Sequence, residues 1–243
     1  MKGATAKKIL AEVKNSYSTI HNEFSDTRHY TWKEFDYFKP YLFEGAEIVD
    51  LGCGNGRLVN FLDQYFLGNT FKYLGIDNNE QLLVKAHQLF PRNVFLPGDQ
   101  LEIPIDDTQV DILFNIAAFH HIPSRELREQ ALLEMNRILK PGGILILSVW
   151  NLWQKKYWRQ NLKAWFKYLI SFGHHDPNDL YIPWKNGQGH TLTKRYYHNF
   201  LPSELNRLIK LSGFTVIEEF AVKKGQKVPF LQSYNYILIA KKS

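Results

Sequence analysis

A doubly wound α/β fold, with a mostly parallel seven-stranded sheet and helices on both faces, is predicted by three observations. Short apolar runs alternate with amphipathic segments from Ile48 onward. The first run breaks into glycines at 52, 54 and 56 before a helical pattern resumes, and acidic residues follow the next two runs at Asp77 and Asp99. Alternating β and α units bury their apolar faces as a parallel sheet between helices, with ligands at the carboxyl ends of the strands.

The elements follow in order. Residues 1–46 read as a helical leader, with Ile9, Leu10 and Val13, then Phe35, Phe38, Tyr41 and Leu42 at three-to-four spacing around the polar stretch Ser25 to His29. Residues 47–150 alternate as strand Ile48 to Leu51, helix Gly56 to Leu67, strand Tyr73 to Ile76, helix Glu80 to Leu89 and strand Val94 to Leu96. Strand Val110 to Asn115, helix Arg125 to Leu139, the turn Pro141-Gly142-Gly143 and strand Ile144 to Trp150 complete them. An insert spans 151–200. Within 201–243, helix Pro202 to Leu211 opens on Pro-Ser-Glu, and Phe214 to Glu219 and Tyr236 to Ala240 are the closing strands.

The run IVDLGCGNGRL, Ile48 to Leu58, carries the first chemistry. Glycines let a backbone turn tightly and approach a ligand, and the helix that follows offers unpaired N–H groups. A dinucleotide fingerprint needs G-x-G-x-x-G, but Arg57 holds its third glycine position. Asp77 lies twenty-one residues after Gly56, where a carboxylate can accept both hydroxyls of a ribose. Asp99, in Gly98-Asp99-Gln100, can accept from an adenine amino group, and Asn115 ends the fourth strand where the opposite end of a ligand is expected.

Charge is concentrated rather than spread. The chain carries a formal +6, and residues 151–200 hold eight Lys or Arg against Asp176 and Asp179, so the remainder is balanced. The same segment holds Trp153, Trp158, Trp165 and Trp184 with five tyrosines. Interleaved cations and aromatics suit a polyanion with splayed, stackable bases, as in a single-stranded RNA loop; a solvated amphipathic helix packed by its tryptophans is the other reading. Cys53 is the lone cysteine and is compatible with a reducing compartment. The N-terminus has no apolar signal-peptide core, and no run is long enough to span a bilayer, so a cytoplasmic protein without a membrane partner is expected. The histidines and Cys53 show no metal-ligand spacing, and no metal is expected.

The set Asp50, Gly52, Gly54, Gly56 and Asp77 with Asn78 resembles motifs I and II of the Rossmann-like class I S-adenosylmethionine-dependent methyltransferases. A narrower likeness rests on YSTIHNEFSDTRHYTW (Tyr17 to Trp32), NIAAFHHIPSRELREQALLEMNRILKPGG (Asn115 to Gly143) and DLYIPWKNGQGHTLTKRYYHNFLPSEL (Asp179 to Leu205). These resemble the tRNA wobble-uridine carboxymethyl methyltransferases, a family that includes the methyltransferase half of the AlkB-like wobble-uridine hydroxylases. The resemblance implies S-adenosylmethionine as cosubstrate, bound by Asp50, Gly52, Gly54, Gly56, Asp77, Asn78, Asp99, Gln100 and Asn115. It implies methyl transfer to the carboxylate of 5-carboxymethyluridine in a tRNA anticodon loop, with no DNA substrate, and a small activator protein pairing along the sheet.

That chemistry needs no base, because a carboxylate with a pKa near ~4 is already ionised. It needs alignment and an anion grip that leaves the attacking oxygen nucleophilic. Arg195, Tyr197 and His198 in the RYYH run, Arg28 in the TR motif and His120 of the tandem histidines are the candidates. His120 and His121 are expected to position rather than to act as bases. Two other readings stand beside this one: a small-molecule methyltransferase with residues 151–200 as an aromatic lid, and a non-catalytic adenosylmethionine- or tRNA-binding adaptor.

Overall fold

A computed structural model describes residues 1–28, 30–66, 71–171 and 174–243. His29 of the leader and Leu67 at the expected end of the first core helix lie outside the described residues.

Helix α1 (Gly3–Asp26) leads the chain, followed by a 3-10 run at Lys33–Tyr41. The expected second leader helix is therefore a tighter 3-10 segment. Pro40 lies within it, has no N–H to give and disfavours helical backbone at Lys39. Strand β1 (Glu47–Leu51), α2 (Arg57–Tyr65), β2 (Lys72–Asp77), α3 (Glu80–Leu89), β3 (Val94–Pro97) and β4 (Val110–Ile116) then alternate as expected. Helix α4 (Arg125–Ile138) runs directly into β5 (Leu139–Trp150). The Pro-Gly-Gly turn becomes the irregular start of that strand, where pairing jumps from Val110↔Leu139 to Ile112↔Ile144.

The insert is two structures: helix α5 (Trp158–Ile170), and a hairpin of β6 (Asp179–Lys185) with β7 (Thr191–His198) that forms its own two-stranded sheet. Helix α6 (Pro202–Leu211), β8 (Phe214–Lys223), the two-residue β9 (Gln226–Lys227) and β10 (Asn235–Lys242) close the chain.

The large sheet has the order β3-β2-β1-β4-β5-β10-β8-β9, with β10 antiparallel to β5 and β8. It is the expected seven strands plus the short β9, which extends β8 as a hairpin edge. Period-two alternation splits its side chains between two cores. Val49, Leu51, Leu113, Leu145 and Leu147 face the cluster that α4 and α6 complete, whereas Ile48, Ile112, Phe114 and Ile146 face the cluster with Phe35, Phe38, Phe61 and Ala86. Both faces are covered, which suits parallel strands. Among the described residues no helix is long and apolar enough to cross a membrane.

Candidate active site

A cavity opens at the carboxyl ends of β1, β2, β4 and β5, roofed by α1 and bounded by β7. Its floor is the glycine loop. The N–H groups of Gly52 and Cys53 both donate to the Ile76 carbonyl, at 2.7 and 3.1 Å, which pins the end of β1 against β2. Gly52 has φ +82°, and a Cβ there would sit 2.4 Å from the Cβ of Ala118, so only glycine admits the loop after β4 so closely.

Asp77 organises the floor. One carboxylate oxygen accepts from the Gly54 N–H at 2.8 Å, and the other from the Asn79 N–H at 2.9 Å. A carboxylate has about four lone-pair sites, so acceptor capacity is left over for a diol. Asn79 then caps α3 by accepting from Leu82 N–H at 3.0 Å. Asn78 donates to Asp99 at 3.0 Å, and Asp99, Asn78 and Gln100 line the same wall. Asp50 is buried beside them; burial lifts its carboxyl to about 7, against the Tyr73 hydroxyl that donates to it at 3.0 Å. Carboxylates at the ends of β2 and β3 and a glycine-tight loop at the end of β1 fit an adenosyl cosubstrate.

Two residues expected at the cosubstrate lie outside the cavity lining, where they make scaffold contacts. Asn115 is fully buried outside the cavity lining, donating to Leu51 O and Gln100 Oε1 and accepting from Phe119 N–H. It ties β1, β4 and Gln100 together. Gly56 also lies off the lining; with φ +79° it turns the loop into α2, and a Cβ there would meet Phe90 and Phe95 at 2.9 and 3.0 Å.

The other end of the cavity is cationic and aromatic. Arg195, on β7, is 3% exposed and has no carboxylate partner among the described residues. Its guanidinium lies 4.7 Å from the Trp184 ring and 5.4 Å from the Trp150 ring. His120 accepts from the Trp150 N–H on Nδ1 at 3.2 Å, and burial drives its pKa well below the ordinary value. The neutral ring therefore carries its proton on Nε2, which is buried without a partner among the described residues. Arg28 also lines the cavity, packed 5.2 Å from Phe24 and 5.8 Å from Trp184, with its pKa lowered by burial.

The remaining RYYH side chains stand back. Tyr197 lies outside the lining and backs it, stacked on Trp150 and His120 with centroids at 5.2 and 5.0 Å, and its buried hydroxyl has no partner among the described residues. His198 lies outside the lining: Nδ1 meets Asp179 at 3.1 Å and Nε2 meets Glu204 at 2.8 Å. These acids share Arg128, which also reaches Asp176. Asp176, Asp179 and His198 come within ligand distance of one another, but the Arg128 guanidinium and the N-terminal ammonium already pair with the carboxylates of that cluster. Period two in β7 explains the split, since Arg195 and Tyr197 share one face and Tyr196 and His198 the other.

Sequence reasoning passed over Tyr17, Trp150 and Arg57. Arg57 lines the cavity with its guanidinium 4.5 Å from Trp32, and burial takes its pKa down to about 9. Its signal was a cation at the helix position where the dinucleotide motif has glycine.

Fold and site together define an S-adenosylmethionine-dependent methyltransferase of class I architecture. A Methyltransferase domain family model matches residues 49–147. A Methanosarcina mazei protein described as a SAM-dependent methyltransferase superposes with a TM-score of 0.68 at 22% identity, covering 85% of this chain and 96% of that one. A Haloferax volcanii putative methyltransferase, solved with the Trm112 activator, superposes at 0.64 and 17% identity over 95% and 97%. The tRNA (carboxymethyluridine(34)-5-O)-methyltransferase of Schizosaccharomyces pombe is 30% identical over 83% of this chain and 88% of its own length. The chain belongs to that enzyme family. A mouse relative of the same name is 29% identical over 88% of this chain, which spans only 30% of the mouse protein.

Proposed function

We propose that the protein methylates the carboxylate of 5-carboxymethyluridine at the wobble position of tRNA, giving the methyl ester, in the cytoplasm. The observation that carries this reading is Arg195: a buried guanidinium with no anionic partner among the described residues, beside the free Nε2–H of His120 at the end of the cavity away from the adenosine wall. A desolvated cation without a counter-ion is costly, and an acceptor carboxylate removes that cost. When bound, S-adenosylmethionine supplies an electrophilic methyl on a sulfonium, so the ionised acceptor needs no general base.

The chain's own residues bind and orient. Asp77 and Asp99 take the nucleoside, Gly52 and Gly54 allow close approach, and Arg195 with His120 holds one carboxylate oxygen while the other stays free to attack. The walls of Trp150 and Phe24 exclude water, with Trp184 packed against Arg195, Arg28 and Phe24. Arg28, in the lining beside Phe24 and Trp184, is a second grip for the acceptor anion or for the cosubstrate's own carboxylate, Tyr197 stiffens the wall, and His198 supports β7 from its other face.

The anticodon loop would reach this cavity along residues 151–200. Lys155, Lys156 and Arg159 cluster at the start of α5, only Ala164 of that helix is buried, and no Asp or Glu occurs from 151 to 175. A small activator would pair with the open edge of β3, where Val94 and Leu96 are exposed.

The test incubates the protein with labelled S-adenosylmethionine and either carboxymethyluridine-containing tRNA or a panel of small acids. Alkali-labile label on the tRNA is expected, and Arg195→Ala should cut it by roughly 30- to 1000-fold with cosubstrate affinity retained. Turnover of uncharged small acceptors alone would replace this reading with the aromatic-lid one.

A further inference from the structure

The tandem histidines carry their protons on opposite nitrogens. His121 Nδ1 lies 2.7 Å from the carbonyl oxygen of Tyr196, which can only accept, so this nitrogen holds the proton. Burial keeps the ring neutral, with its pKa pulled down to about 3, and Nε2 is a bare acceptor. The Tyr17 hydroxyl, 2.8 Å from Nε2, must donate to it. Its oxygen lone pairs then turn toward Arg195, whose Nη1 donates at 3.3 Å. The chain of donors runs from Arg195 to Tyr17 to His121 to the backbone of Tyr196, one residue beyond Arg195 on β7. It closes on the strand where it started.

We propose that Tyr17 is the positioning residue of the acceptor site: it fixes the Arg195 guanidinium toward the acceptor anion while leaving its charge unspent, and makes that orientation conditional on α1 being seated. This rests on the anionic-acceptor reading above. A carboxylate at position 17 would orient Arg195 equally well but neutralise it and repel an anion. A phenol held as a donor by His121 offers Arg195 only a neutral acceptor. The aromatic edges around it add restraint of the same kind, Tyr17 packing against Phe24 and His121 with centroids 5.3 Å away in each case. Among the described residues, Tyr17 is the side chain of α1 that is hydrogen-bonded to both His121 and Arg195.

The experiment has two arms. Nitrogen-15 NMR of histidine- and arginine-labelled protein should show His121 as the Nδ1–H tautomer, and Tyr17→Phe should shift the Arg195 guanidinium signals, identified by their loss in Arg195→Met. A protonated Nε2 on His121, or Arg195 signals unmoved by Tyr17→Phe, overturns the proposal. In steady-state assays Tyr17→Phe should lower acceptor kcat/KM about 10- to 30-fold, keep cosubstrate affinity within about twofold, and cause no further loss in an Arg195→Met background. Equal losses in both backgrounds would make Tyr17 merely structural. If the wild-type protein turns over no carboxylate acceptor, the proposed function fails while the NMR arm still decides the role of Tyr17.

Discussion

The N–H of Trp150 donates to Nδ1 of His120 across 3.2 Å, and this one bond decides which side of the imidazole faces a ligand as a donor. His120→Ala should reduce acceptor kcat/KM about 10- to 100-fold, the worth of one hydrogen bond to a charged group at roughly 1.5 to 3 kcal/mol. Because burial holds His120 neutral throughout the assay range, the pH–rate profile between 6 and 8 should keep its shape in the variant. A profile that loses a limb near pH 6.5 would make His120 a titrating base.

Asp77→Ala should weaken S-adenosylmethionine binding by about 2 to 4 kcal/mol, measured by calorimetry. Asp77 also holds the Gly54 and Asn79 N–H groups, so the variant should lose protection from hydrogen exchange at the glycine loop even without ligand. Unchanged affinity in a folded variant would remove Asp77 from the site.

Asp50 makes stability depend on pH. Its carboxyl titrates at about 7 in the folded protein because of burial, against about 3.9 in an unfolded chain. Between those values the folded state keeps a proton that the unfolded chain has released. Stability therefore falls as pH rises from about 4 to 7, by on the order of a few kcal/mol, and levels off above that. Buried Asp77 shifts in the same direction, so the informative quantity is a difference. Thermal melts of Asp50→Asn should fall less over this window than those of the wild type, and parallel curves would contradict the assignment.

Neutralising Lys155, Lys156 and Arg159 together should weaken tRNA binding and lower the salt slope by about 2, at roughly 0.7 per lost single-strand phosphate contact. Binding titrations from low to moderate salt measure it. A variant with the wild-type slope would return these residues to a solvated face.

The strands and helices of the core were legible because each buries one patterned face: the limits of α3 and α6 were read to the residue from apolar spacing and end signals. The hairpin β6–β7 was not. In TLTKRYYH the residue types do not alternate in polarity, because both faces of the buried half, Arg195 to His198, are covered, one by the aromatic side chains around Arg195, the other by the Arg128 ion-pair cluster. The separation of Arg195 from His198 followed from that two-sided burial and had no signal in the spacing. Asn115 and Gly56 lie off the lining expected of them, and a polar residue at a strand end and a glycine in a loop look alike in the sequence whether they meet a ligand or the protein's own backbone.

The sequence by itself determined the order of elements, the glycine loop with Asp77, and the concentration of cations and aromatics in residues 151–200, because these depend on local conformation and composition. Only the tertiary structure decided which cations lack partners and which imidazole nitrogen carries a proton. Those properties belong to groups brought together across the chain: Tyr17 from the first helix, His120 and His121 from the turn after β4, Trp150 from the end of β5, and Arg195 from a hairpin beyond them. Burial then removes the water that would otherwise have paired each of them.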